Sequence, residues 1–235
     1  MDVEILNNMV PSGPNTLIPE WLFNFANKVI FENNMDSSHD QLHFINTAKY
    51  AYKIVNSSEI KNKEYIIKDF DFIDSEEIIV LSAYCHDLID SKYMDEEKGI
   101  KNLKDVFINN GYSESKLNVI FYIITHISFS KRRKREKEGL PLFEEHAYKF
   151  ASQIVCDADQ LDAYRVERII SYQNTKGLSD LETKQWCKTI LVKRILKYIE
   201  KYMNTKIAKT IAQDMHDKVQ EIVNTEYIGV EMMDY

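Results

Sequence analysis

The stretch Glu76-Glu77-Ile78-Ile79-Val80-Leu81-Ser82-Ala83-Tyr84-Cys85-His86-Asp87 constrains the fold more than any other part of the chain. Ile78 to Leu81 alone would suit a buried strand. The apolar run continues for about three turns, through Ala83 to Leu88, and at that length a buried helix is favoured. Asp74 followed by Glu77 has the spacing of a capping box and predicts the helix start there. The run ends on a histidine beside an aspartate. Desolvating such a pair at the end of an apolar helix is costly unless something compensates it, and a divalent cation is the usual compensation. Adjacent helical residues diverge by about 100°, so His86 and Asp87 share one ion only if it lies between their two directions.

Helical spacing recurs on both sides of this run. Trp21, Leu22, Phe25, Val29 and Ile30 predict a helix over 18–34, with Pro19 near its start, where a helix tolerates it. Leu42, Ile45, Ala48, Tyr52 and Val55 predict another over 39–55, with His39 and His43 one turn apart at the edge of its stripe. Residues 57–74 read as a loop with room for one short helical turn. Helices are expected over 96–109, ended by Asn110-Gly111, and over 113–129, with His126 near the end. The basic run Lys131-Arg132-Arg133-Lys134-Arg135-Glu136-Lys137-Glu138 reads as a loop. One long helix is expected over 144–173, and two more over 180–203 and 207–223. Only six glycines and four prolines disfavour a turn-rich sandwich or barrel. The expectation is one all-α domain over 1–235, with a core over roughly 20–175 and C-terminal helices over roughly 180–223.

A formal net charge of −7 argues against stable nucleic-acid binding by the surface as a whole. Cys85, Cys156 and Cys187 are scattered and odd in number, so neither a disulfide framework nor a thiolate zinc site is indicated, and a reducing, cytoplasmic setting is expected. No segment is apolar for long enough to span a bilayer, so no membrane association is expected. Asp2 and Glu4 without a basic flank argue against a secretory signal. A homo-oligomer is compatible with this composition.

His43, the His86-Asp87 doublet and Asp159 together resemble the H…HD…D signature of the HD-domain metal-dependent phosphohydrolases. The likeness extends to His39-Asp40-Gln41-Leu42-His43, to Cys85-His86-Asp87-Leu88-Ile89-Asp90-Ser91-Lys92-Tyr93 and to Ile154-Val155-Cys156-Asp157-Ala158-Asp159-Gln160-Leu161-Asp162-Ala163. The subgroup it looks most like is that of small stand-alone nucleotide hydrolases, such as nucleoside triphosphate pyrophosphohydrolases and nucleotidases. The resemblance implies an all-helical HD-type domain in which His43, His86, Asp87 and Asp159 hold one divalent ion, and a nucleotide or other phosphorylated small molecule as substrate. Two imidazoles and two carboxylates suit Mn²⁺, Mg²⁺, Fe²⁺, Co²⁺ or Ni²⁺, with positions left open for water and substrate.

Asp157, Asp159 and Asp162 all stand in the third segment. Asp159 and Asp162 share a face, whereas Asp157 lies about 200° from Asp159 at helical pitch. The family's Ala-Asp-x-Leu unit selects Asp159 as ligand and leaves Asp162 to orient a ligand or water. Asp90 is a candidate general base and Lys92 a candidate phosphate contact. His39 is expected to support the site. His126 could meet phosphate or a second metal, or be a satisfied core histidine; His146 and His216 are expected to face solvent. Lys131, Arg132 and Arg133 are candidates for a lid over substrate phosphates, against the plainer reading of a solvated loop. The arginine often found three residues after the first histidine is Asn46 here, and Tyr164-Arg165-Val166-Glu167-Arg168 replaces a glycine-containing stretch. Two alternatives remain open: a nucleotide-sensing module of the same fold without turnover, and an HD-type di-iron oxygenase, which would need His126 or His39 as additional ligands.

Overall fold

The computed structural model describes residues 17–63 and 66–233; the expectation drawn from Asp2 and Glu4 lies outside them. The described residues are all-α, with no strand among them: α1 Glu20–Glu32, α2 Gln41–Val55, α3 Ser58–Lys61, α4 Phe72–Cys85, α5 Glu96–Asn109, α6 Glu114–His126, α7 Phe129–Lys137, α8 Lys149–Asp162, α9 Val166–Asn174, α10 Asp180–Lys193 and α11 Lys206–Thr225. None of these helices is long and apolar enough to cross a membrane.

Helix α4 is the axis of the core. Every residue from Ile78 to Cys85 is buried, as expected of a helix that is apolar all round. Burying Ile78, Ile79, Val80 and Leu81 alone is worth roughly 6–12 kcal/mol, at ~1.5–3 kcal/mol per side chain. Helices α2, α6 and α8 pack around α4, and α2 also packs on α8. The start of α4 differs from the expected one: Asp71 is the N-cap, its carboxylate accepting from the Asp74 N–H at 2.8 Å, so Asp74 is already inside the first turn.

Caps set the other ends that matter for function. Asp40 caps α2 by accepting from the backbone N–H of His43 at 2.9 Å, which fixes the turn carrying that histidine. Gly111 ends α5 with φ +85°, the left-handed conformation that glycine adopts without strain.

Three expected elements differ from the structure. The basic run is a helix, α7, rather than a loop. The expected helix over 144–173 breaks into α8 and α9 at Arg165, whose backbone is extended and whose guanidinium turns back on Asp162 at 3.1 Å. The expected helix over 180–203 ends at Lys193; Arg194 leaves helical geometry, and a 3₁₀ turn and a π turn follow, closed by the Met203 N–H on the Tyr198 carbonyl at 2.8 Å.

Candidate metal centre

Three of the core helices bring their polar ends to one place. His43 projects from the first turn of α2, His86 and Asp87 follow the last turn of α4, and Asp159 lies in the last turn of α8. His86 Nε2 is 3.0 Å from Asp87 Oδ2 and 3.6 Å from Asp159 Oδ1. His43 Nε2 is 3.3 Å from Asp87 Oδ2, 3.7 Å from Asp159 Oδ1 and 3.2 Å from His86 Nε2. An ion bound at ~2.1 Å separates neighbouring ligands by about 3.0 Å in octahedral and about 3.4 Å in tetrahedral geometry. The donor set is therefore spaced as ligands of one ion are. His86 caps α4 with helical backbone angles, φ −57° and ψ −32°, and its Nε2 still meets Asp87 Oδ2 at 3.0 Å.

Proton bookkeeping at the imidazoles leads to the same place. His86 Nδ1 lies 2.8 Å from the Ala83 carbonyl, which can only accept, so Nδ1 donates. His43 Nδ1 lies 2.7 Å from Asp162 Oδ2 and donates to that carboxylate. In their neutral forms both rings thus turn Nε2 lone pairs toward each other and toward two carboxylates. Both lone pairs thus face carboxylate oxygens, an arrangement that a cation or a proton between them relieves; donor atoms of His43, His86 and Asp159 all lie within 4.8 Å of one another. Without a metal ion a proton is the alternative occupant. Burial alone would lower the basicity of His86, but Asp87 and Asp159 outweigh it and hold the ring well above its ordinary value. Burial would likewise raise Asp87, yet the His86 charge and hydrogen bonds from His43 and His86 hold it well below the usual carboxylate range.

Asp162 is fully buried and accepts from His43 Nδ1. Besides His43 it receives Asn46 Nδ2 at 2.9 Å, Arg165 at 3.1 Å and Arg168 at 3.5 Å. These partners keep it below the ordinary carboxylate value despite its burial. Asn46 and the Tyr164–Arg168 segment are the two places where the sequence departs from the family pattern, and both serve this one carboxylate. Asp157 faces the other way. It accepts the backbone N–H groups of Asn204 and Thr205, the Asn204 side-chain amide and the Thr205 hydroxyl, each at 2.8 Å. It anchors the start of α11 and takes no part in the cluster.

A cavity of about 370 Å³ opens over the cluster, lined by His39, His86, Asp87, Asp90, Asp159, Thr125, Ser128, Phe129, Lys131, Arg168 and Arg194 among others. Of the candidates for substrate contact and proton transfer, Asp90 and Lys131 line this cavity. Lys131 is largely exposed, its ammonium 3.1 Å from the Thr125 carbonyl and 3.9 Å from Glu96. Four other candidates stand elsewhere. Arg132 is 1% exposed: its guanidinium lies between the Phe129 and Phe143 rings, donates to the Ile127 carbonyl at 3.3 Å, and meets the Gln160 side-chain oxygen at 3.1 and 3.2 Å once that amide is turned to face it. It is a core residue, because helical pitch in α7 turns it opposite to its neighbours. Arg133 is half-buried and does not line the cavity. Lys92 leaves the cavity to pair with Asp36 at 2.8 Å and Tyr93 at 2.8 Å. His126 stacks on Tyr122, which His146 covers from its other side, and His126 donates Nδ1–H to the Tyr122 carbonyl at 2.7 Å.

Sequence reasoning missed Arg168 and Arg194. Arg168 was visible only as part of a departure from the family pattern. Arg194 follows α10, outside the motif-bearing segments, and reaches the cavity because the chain breaks there; its Nε donates to Tyr198 at 2.6 Å and its guanidinium covers Phe129 at 4.2 Å.

Comparison with known proteins gives a consistent fold. No protein-family model matches the sequence. The uncharacterized protein YpgQ of Bacillus subtilis (strain 168) is 27% identical over 150 residues, which are 62% of this chain and 69% of YpgQ. A crystal structure of Bacillus subtilis YpgQ in complex with ADP superposes with a TM-score of 0.60 at 23% identity, covering 88% of this chain and 100% of that one. A crystal structure from Lactobacillus plantarum gives a TM-score of 0.61 at 19% identity over 92% of this chain and 98% of that one. At these identities the likeness is one of fold.

Proposed function

We propose that this chain is an HD-type, metal-dependent phosphohydrolase acting on a nucleotide. The observation that carries the reading is the convergence of His43 Nε2, His86 Nε2, Asp87 Oδ2 and Asp159 Oδ1, spaced 3.0–3.7 Å apart in the contacts above, with His86, Asp87 and Asp159 lining an open cavity and His43 buried behind them. Two neutral imidazoles and two carboxylates fit one divalent cation of the Mn²⁺ or Mg²⁺ kind. The chemistry such an ion supplies is activation of water and polarisation of a phosphoryl oxygen.

The chain's own residues do the rest. Asp162 and the Ala83 carbonyl hold His43 and His86 in the tautomers that present Nε2. Lys131, Arg168 and Arg194 put cationic groups for phosphate on a cavity wall that also carries Asp87, Asp90, Glu96 and Asp159, in a chain of net charge −7. The aliphatic and aromatic wall of Ile89, Ile124, Ile127 and Phe129 offers an apolar surface to a base or sugar. A relative of the same fold that binds ADP supports the nucleotide as ligand class. The test is phosphate or pyrophosphate release from a panel of nucleoside mono-, di- and triphosphates with added Mn²⁺. Release from one of them, abolished in Asp159→Ala, is expected. Nucleotide binding without release would make the chain a sensing module instead.

A further inference from the structure

A second cavity, of about 510 Å³, lies between α1 and α5 and is lined by none of the donors of the candidate metal centre. One face of each helix forms its sides. Phe25, Lys28, Val29 and Glu32 recur at helical spacing on α1, and Lys98, Asn102 and Asp105 do so on α5.

The segment joining α4 to α5 is a partition between the two cavities. Asp87, Ile89, Asp90 and Glu96 line the cavity of the metal centre, whereas Leu88, Met94 and Asp95 line this one. Leu88 and Ile89 are both buried, so a single peptide unit separates the two sides. Gly99 thins the partition further. It lines the second cavity, and a Cβ at this position would stand 3.4 Å from Ile89 Cβ and Cγ2 and 2.9 Å from Met94 Sδ. The backbone of α5 therefore packs directly on Ile89.

The lining sets the class of ligand. Phe25, Val29, Leu88, Met94 and Val106 offer an apolar bed to a flat heterocycle, in a volume within the ~300–1,000 Å³ usual for small-molecule sites. Asn33 and Asn102 bring carboxamides that can pair with the edge of a base; Asn33 donates to the Val29 carbonyl at 2.8 Å and keeps its oxygen as an acceptor. Glu32, Asp95 and Asp105 outnumber Lys28 and Lys98, and Lys28 already faces Glu32 at 3.8 Å. Carboxylates accept from sugar hydroxyls, and their surplus repels phosphate.

We propose that this cavity binds a nucleoside, its base on the apolar bed and its sugar toward the carboxylates, and that occupation tightens the cation site across the partition. The second clause rests on the proposed reading of that site. A ligand packed on Leu88 and Met94 holds the 87–96 segment, and Asp87 with it, in one conformation. The cost of ordering that segment then no longer falls on the cation.

Calorimetric titration of the full chain with adenosine, guanosine, cytidine and uridine tests the site. Asn102 and Glu32 are exposed on opposite sides of the cavity, so tryptophan at either fills it without disturbing the core. One nucleoside per chain is expected to bind the parent and Arg194→Ala alike, with Kd raised about tenfold or more in Asn102→Trp and in Glu32→Trp. Saturating nucleoside is expected to lower the Mn²⁺ Kd of the parent by about fivefold or more and to leave that of the two tryptophan variants unchanged. No nucleoside bound, binding as tight in both tryptophan variants as in the parent, or binding lost in Arg194→Ala would overturn the site, even in a chain that hydrolyses nucleotides. An Mn²⁺ Kd indifferent to nucleoside would overturn the coupling. A chain that binds nucleoside in the expected way but no Mn²⁺ keeps this site and refutes the proposed function.

Discussion

Asp157 and Asp159 stand two residues apart on α8, and exchanging each for alanine should damage different properties of the protein. Asp157 is fully buried and accepts four hydrogen bonds, two from Asn204 and two from Thr205. Asn204 is half-exposed, so its donors can turn to water when the carboxylate is removed. Thr205 is 3% exposed, and its N–H and hydroxyl would be left buried without an acceptor. At ~1–3 kcal/mol for each such donor, Asp157→Ala costs about 2–6 kcal/mol. For a chain of this size each kcal/mol lowers Tm by roughly 2–4 °C, so a fall of about 5–20 °C is expected. Mn²⁺ affinity of the folded protein should stay as in the parent. Asp159→Ala should do the opposite. Asp159 is one of the convergent donors and shares no hydrogen bond with α11, so its loss should remove tight Mn²⁺ binding while freeing no buried donor at the start of α11, and the fall in Tm of the metal-free protein should be smaller than that of Asp157→Ala. Calorimetry of chelator-treated protein together with Mn²⁺ titration decides the matter. Loss of Mn²⁺ binding in Asp157→Ala with retention in Asp159→Ala would refute the assignment of the two carboxylates.

Four further expectations follow from particular contacts. His86→Ala or Asp87→Ala should abolish metal retention and hydrolysis while circular dichroism stays largely helical, because the apolar side chains of α4 hold the helix without its terminal pair. In the basic helix, Lys131→Ala should raise KM, more for triphosphates than for monophosphates and less so at high salt; Arg132→Ala should instead lower stability by about 2–5 kcal/mol, since it leaves a cavity and an unsatisfied Gln160, and urea unfolding separates the two effects. Arg194→Ala should raise KM for nucleotides with Mn²⁺ stoichiometry unchanged, and an unaltered KM would remove it from the binding surface. Asp162 is depressed below 3.8 in the folded protein, so its stabilisation is complete above that value and is lost as pH falls through the folded pKa; Asp162→Asn should flatten the decline of Tm with acid below pH 3.8, read by thermal melts in acidic buffers.

Periodicity and caps made most of the helices legible in the sequence alone. Both ends of α5 and the start of α6 fall within one residue of the expected ones, because Asp95, Ser113 and Gly111 act on backbone groups only a few positions away; α6 ends three residues early, at His126. Spacing and family resemblance together picked out His43, His86, Asp87 and Asp159, which the fold brings into contact. The misplaced residues share a different physics. Arg132 sits in a basic run, and only the burial of one face of α7 against Phe143 and Gln160 turns it inward. Lys92 is drawn away by Asp36, 56 positions earlier in the chain, and Asp157 by Asn204 and Thr205, 47 and 48 positions later. Arg194 reaches the cavity only because α10 breaks beside it. The sequence by itself determined most of the helices, which rest on local spacing, and the resemblance of three separate motifs pointed to the four donors of the candidate centre. Which cations face the cavity, and which carboxylates are structural, depends on partners distant in the chain, and only tertiary packing decided it.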